Sequence, residues 1–163
     1  IAFYCVLEGI FFYCGFSQVL ALGRVGKMIG VAEQFQYILR DESMHLNYGI
    51  DLINQIKLEN PEVWTPEFQL KVHEMVEEGA VLETAFGYDI NPNGTKVITP
   101  QQNARYMQFI AHRRLTPVGL KPRFEAPENP FPWMSEMIDI SKEKNFFETR
   151  VTDYQQGADL KFA

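Results

Sequence analysis

The sequence predicts an all-α protein, built as part of a helical bundle, and three observations carry that prediction. The opening run IAFYCVLEGIFFYCGF is apolar on every side and too long for a single strand. Two proline-marked starts, Thr65-Pro66-Glu67 and Thr99-Pro100-Gln101-Gln102, each lead into a long segment of helical composition. No alternating strand pattern of any length occurs among the 163 residues.

The elements follow in order. Residues 1 to about 23 form the first helix, which Gly23-Arg24-Val25-Gly26 ends. A second runs from about Gly30 to Glu59 and stops at Asn60-Pro61. Thr65 caps a third, with Pro66 at the first helical position and Glu67 in the first turn, and it continues to about Gly87. Asn91-Pro92-Asn93-Gly94 makes a turn. Thr99 opens the fourth, where Gln102 is placed to complete a capping box, and that helix ends near Leu115. Pro117, Pro122, Pro127, Pro130 and Pro132 then predict an extended, irregular stretch. The expected organisation is a helical part over 1–116, a Pro-rich segment over 117–140, and a polar, mobile tail over 141–163. The chain opens without Met, cap or turn residue, already inside an apolar segment, so it is expected to be a fragment of a longer protein.

Composition narrows the function. A net charge of −6 and no basic run beyond Arg113-Arg114 argue against a nucleic-acid surface. Cys5 and Cys14 lie nine positions apart, on opposite sides of an α-helix, so they cannot bridge each other. Free thiols suit a reducing cytoplasm. Ile1 to Leu22 is long enough to span a membrane, but Glu8 near its middle, Ser17, Gln18 and the lack of a second span favour a helix buried in a bundle. No basic leader or small-residue cleavage site marks a signal peptide.

Three residues carry the chemistry. Glu8 is a carboxylate in an apolar helix, which costs several kcal/mol unless something compensates it. Glu42 and His45, in RDESMH, stand at i and i+3 on one helix face. Glu8 lies about 22 Å from the end of the first helix, and Glu42 about 18 Å back up the second. A short connection makes those helices antiparallel neighbours, which returns Glu42 and His45 to the level of Glu8. Two carboxylates and an imidazole in a Phe-rich interior suit iron or manganese. Phe12 and Phe16 follow Glu8 at i+4 and i+8, and Ile38 precedes Glu42 by four, so all three are expected to line the same dry pocket. Glu33, His73, His112, Glu74, Glu77 and Glu78 read as solvated surface instead.

LEGIFFYCGF, followed by RDESMH and by the ending NFFETRVTDYQ, resembles the second half of the small (beta) subunit of class I ribonucleotide reductase. The likeness covers essentially all 163 residues, and the wording YILRDESMHLN resembles the bacterial subgroup that can use manganese and iron. It implies the second half of a ferritin-like bundle with a two-metal centre, Fe/Fe or Mn/Fe, that activates dioxygen and supplies a radical. The large (alpha) subunit, as partner, would use that radical to make deoxyribonucleotides, with the full-length small subunit a homodimer in the cytoplasm. By the resemblance, Glu8, Glu42 and His45 are metal ligands, and Phe12, Phe16 and Ile38 form the pocket beside them. Asp41 would be a carboxylate behind the metal ligands, facing inward on the electron and proton path, joined there by Glu148 and Tyr154 of the tail. Leu160, Lys161, Phe162 and Ala163 would dock on the large subunit. The first ligand-bearing helix pair of that family is absent, so the isolated fragment is expected to bind metal weakly and to be inactive. Two other readings stay open: a related two-metal oxidase, such as a ligand-binding oxidase or desaturase, and a non-catalytic helical interaction module.

Overall fold

The long apolar opening run folds as one rod, Ala2–Arg24, but its winding changes partway along. Over Ala2–Phe11 it is a π-helix, and over Tyr13–Arg24 it is an α-helix, α1. In this computed structural model, which describes residues 1–123 and 128–140, no strand occurs among the described residues. A π stretch of this length is unusual, since π winding mostly appears as single turns set into α-helices.

The rod turns back through a tight connection. Leu22 C=O accepts from the Val25 and Lys27 amides, and Gly23 C=O from the Gly26 amide, while Gly26 takes a left-handed φ of 72° that suits glycine. Helix α2, Ile29–Glu59, then runs back beside the rod, packing on both its α and its π parts. A 3₁₀ turn at Pro61–Val63 leads to α3, Pro66–Ile90, capped by Thr65 Oγ1 accepting from the Phe68 amide at 3.2 Å. Helix α4, Pro100–Leu115, begins with the full capping box, Thr99 and Gln102 each serving the other's backbone. Helices α3 and α4 cover the other side of the rod.

The rod is thus the centre of the molecule. It has the length and composition of a membrane span, with a mean hydropathy of 1.6, but 61% of that window is buried inside the protein. Cys5, Ile10, Tyr13 and Leu20 from the rod meet Leu39 and Leu46 of α2, Val72 and Val76 of α3, and Met107 and Ile110 of α4 in one core. Close approach is possible where side chains are missing. A Cβ on Gly49 would lie 2.1 Å from Cγ of Tyr4, so glycine there lets α2 close on the π segment.

The Pro-rich stretch departs from the irregular segment expected over 117–140. After a 3₁₀ turn at Thr116–Val118, Pro132 opens a helix, α5, over Pro132–Ile140. Proline is well suited to a first helical turn, and Phe131 and Met134 anchor this one in the core. The tail expected over 141–163 lies outside the described residues.

Candidate metal centre

Glu8 comes from the π segment, and Glu42 and His45 from one face of α2. One donor atom from each of the three lies within 4.8 Å of the others. His45 Nδ1 stands 3.3 Å from Glu42 Oε2 and 3.6 Å from Glu8 Oε2. The antiparallel hairpin that the turn after Arg24 creates brings them to one level, although 34 positions separate Glu8 from Glu42. Glu8 is only 8% exposed, and its buried Oε2 has no hydrogen-bond partner. A carboxylate oxygen buried without a hydrogen bond is costly, and His45 Nδ1 at 3.6 Å faces it without reaching hydrogen-bond distance.

The donor set fits a metal ion. An ion bound at about 2.1 Å brings neighbouring ligand atoms to roughly 3 Å from one another, near the 3.3 and 3.6 Å that separate His45 Nδ1 from the two carboxylate oxygens. Carboxylate oxygens with one imidazole nitrogen are ligands for hard to intermediate divalent metals such as manganese and iron. His45 forms the open side of the group, its side chain 56% exposed.

The surroundings differ in part from the expected closed pocket. Phe16 is buried, and the ring centroids of Phe12, Tyr13 and Phe35 stand 6.0, 5.8 and 6.0 Å from its own. Phe12 and Ile38 are exposed, because no element among the described residues covers the side of the hairpin on which they stand. Asp41 is exposed as well rather than turned inward, since one residue of helix rotation, about 100°, separates it from Glu42. Glu148, Tyr154, Leu160, Lys161, Phe162 and Ala163 lie outside the described residues.

Of the residues read as surface, Glu74 and Glu78 are exposed, and Glu77 pairs with Arg123 through two hydrogen bonds. His73 is a correction: it is half-buried, and its Nδ1 is buried without a partner. Glu33 and His112 are half-buried too.

Two buried charges escaped sequence reasoning. Glu83 of α3 is 5% exposed, and its Oε1 accepts from the Cys14 amide at 3.1 Å. Burial pushes its carboxyl up to about 7, against the lowering effect of that hydrogen bond. Arg114 of α4 is 7% exposed and donates from Nε to Gly9 C=O at 2.7 Å. The signal was available, for Val72, Val76, Ala80, Glu83 and Gly87 fall on one helical stripe, so Glu83 occupies a core position. Burial also pushes the thiol of Cys14 up to about 11 and raises that of Cys5, which makes both poor nucleophiles.

Known proteins resemble this chain in sequence and in fold. A sequence model of the family "Ribonucleotide reductase, small chain" matches residues 1–130. A "Ribonucleoside-diphosphate reductase subunit beta" of Chlamydia pneumoniae is 51% identical over 162 residues, covering 99% of this sequence and 46% of that protein. A protein of the same name from Halalkalibacterium halodurans is 33% identical over 154 residues, covering 91% of this sequence and 44% of its own. Among solved structures, the "Ribonucleotide reductase R2 subunit from Clostridium botulinum" superposes with a TM-score of 0.77 at 33% identity, covering 82% of this sequence and 42% of its own. The fold is accordingly the helical, ferritin-like one of these subunits. The chain spans less than half the length of these relatives. With the family model covering most of its residues, the chain belongs to the ribonucleotide reductase small-chain family.

Proposed function

We propose that this chain supplies one side of a two-metal centre in the radical-generating small subunit of a ribonucleoside-diphosphate reductase. The single observation that carries the reading is the convergence of Glu8, Glu42 and His45 within 4.8 Å, with a buried carboxylate oxygen of Glu8 left without a hydrogen bond. Glu8, Glu42 and His45 would hold the metals, Fe/Fe or Mn/Fe. The chemistry those metals supply when bound is one-electron oxidation powered by dioxygen.

The chain's own residues do the rest. Glu8 reaches the site from the buried rod, so its position is set by the core, while Glu42 and His45 are held one turn apart on α2. Phe16, buried against Tyr13 and Phe35, would keep water from that side. Asp41, Glu148 and Tyr154 would carry the electron and proton toward the large subunit, and Leu160, Lys161, Phe162 and Ala163 would dock there. The large subunit would use the oxidising equivalent to reduce ribonucleotides. A homodimeric full-length subunit and a cytoplasmic location complete the reading, the latter supported by two buried, free thiols.

The test is metal content. In a full-length small subunit carrying this sequence, Glu8→Ala should abolish two-metal binding while leaving the helical content in place. Unchanged metal stoichiometry by elemental analysis would refute Glu8 as a ligand and the centre with it.

A further inference from the structure

The change from π to α winding sits between Glu8 and the rest of the rod, and it leaves backbone groups that the helix itself does not satisfy. The α ladder of α1 starts with the Phe16 amide on Phe12 C=O at 2.9 Å. The Cys14 amide therefore lies in a first turn, where amides lack an α-helical acceptor. Its acceptor is Glu83 Oε1, a carboxylate from α3. The carbonyl five residues before Cys14, which π winding would aim at that amide, belongs to Gly9 and receives Nε of Arg114 from α4. One buried acid thus accepts from a free N–H of the junction, and one buried guanidinium donates to a C=O on its other side.

A second layer holds the same point. The single proton of Ser17 Oγ is shared between Cys14 C=O at 2.8 Å and Asn103 Oδ1 at 3.1 Å, and Asn103 Nδ2 reaches Cys14 Sγ at 3.0 Å. Arg114 also lies over the Tyr13 ring, 4.9 Å from its centroid. We propose that Glu83 and Arg114 are positioning residues that pin the π-to-α junction and thereby set how Glu8 faces Glu42 and His45. This rests on the reading of Glu8 as a metal ligand, but the pinning itself concerns backbone groups that are present without metal. Gly9 follows Glu8 directly, so a carbonyl held there fixes the peptide adjoining the ligand. Networks behind a ligand commonly tune metal affinity by ten- to a hundredfold.

The test uses a full-length small subunit carrying this sequence and three variants. Glu83→Met fills similar space but offers no oxygen acceptor, Glu83→Gln keeps an oxygen for the Cys14 amide, and Arg114→Met frees the Gly9 carbonyl. Amide hydrogen exchange of the metal-free protein over residues 13–15 should speed up about tenfold in Glu83→Met and stay within about threefold of the parent in Glu83→Gln. Binding of Mn²⁺, used as the probe, should weaken by about ten- to a hundredfold in Glu83→Met and in Arg114→Met, with Glu83→Gln again near the parent. Exchange and affinity both unchanged in Glu83→Met would overturn the proposal. So would faster exchange with unchanged Mn²⁺ binding, or a Gln variant as damaged as the Met variant. If the parent itself takes up no Mn²⁺, the ligand reading of Glu8 fails, and the exchange difference between the Met and Gln variants still decides whether Glu83 pins the junction.

Discussion

Arg114 Nε donates to the carbonyl of Gly9 across 105 positions of sequence, joining the start of the rod to the end of α4. The bond is buried, and the same guanidinium lies over the ring of Tyr13. Replacing Arg114 by Met removes a charged donor and leaves a buried carbonyl unpaired. We expect a loss of about 2–4 kcal/mol in unfolding free energy, measured by urea titration. A loss under about 0.5 kcal/mol would mean that the carbonyl finds another donor at no cost.

Glu8 should make the metal-free protein less stable than it could be. Its buried Oε2 has no hydrogen-bond partner, and the imidazole nitrogen facing it, His45 Nδ1, stands 3.6 Å away. Glu8→Gln keeps the shape and removes the charge, so in metal-free protein it should raise unfolding free energy by about 1–2 kcal/mol. Destabilisation by a similar amount would instead assign Glu8 a structural role, as a helical interaction module would require.

Glu83 should make stability depend on pH. Burial raises its folded pKa to about 7, above the ordinary value of 4.5. Between those values the folded carboxyl holds a proton that the unfolded one has lost. The folded state therefore binds more protons, and stability falls as pH rises through that window. The total fall attributable to this group is at most roughly 3 kcal/mol, and Glu83→Gln should flatten it. Denaturant unfolding at pH 5 and pH 8 for both proteins measures the difference, and equal slopes would sink the assignment.

Gly49 is the contact point of α2 with the π segment. A Cβ there would meet Cγ and Cβ of Tyr4 at 2.1 and 2.4 Å, atoms near the backbone that cannot swing aside. Gly49→Ala should destabilise by about 1–3 kcal/mol. Adding Tyr4→Ala should recover part of that loss, giving a non-additive double-mutant cycle in thermal melts. Simple additivity would show that the two residues do not meet.

Much of the fold was legible because it depends on local rules. Thr65 and Thr99 cap their helices through side-chain oxygens, the capping box at Gln102 forms, and Asn60-Pro61 ends α2. These signals work within four residues and need no partner. The level of Glu42 and His45 against Glu8 was also readable, because helix rise and a short turn determine it. The exposure of Phe12, Ile38 and Asp41 was not readable, since it depends on which elements cover the hairpin. Pro132 was misread for a related reason, as one residue type both breaks helices and starts them.

The order of apolar and capping residues by itself determined an all-helical chain, its turns, and a hairpin carrying two acids and a histidine to one height. Only the tertiary structure decided that the rod is π-wound around Glu8, and that Glu83 and Arg114 satisfy the groups at its end. The physical reason is that winding is settled by backbone hydrogen bonds, and here the partners of those bonds come from helices 69 and 105 positions away.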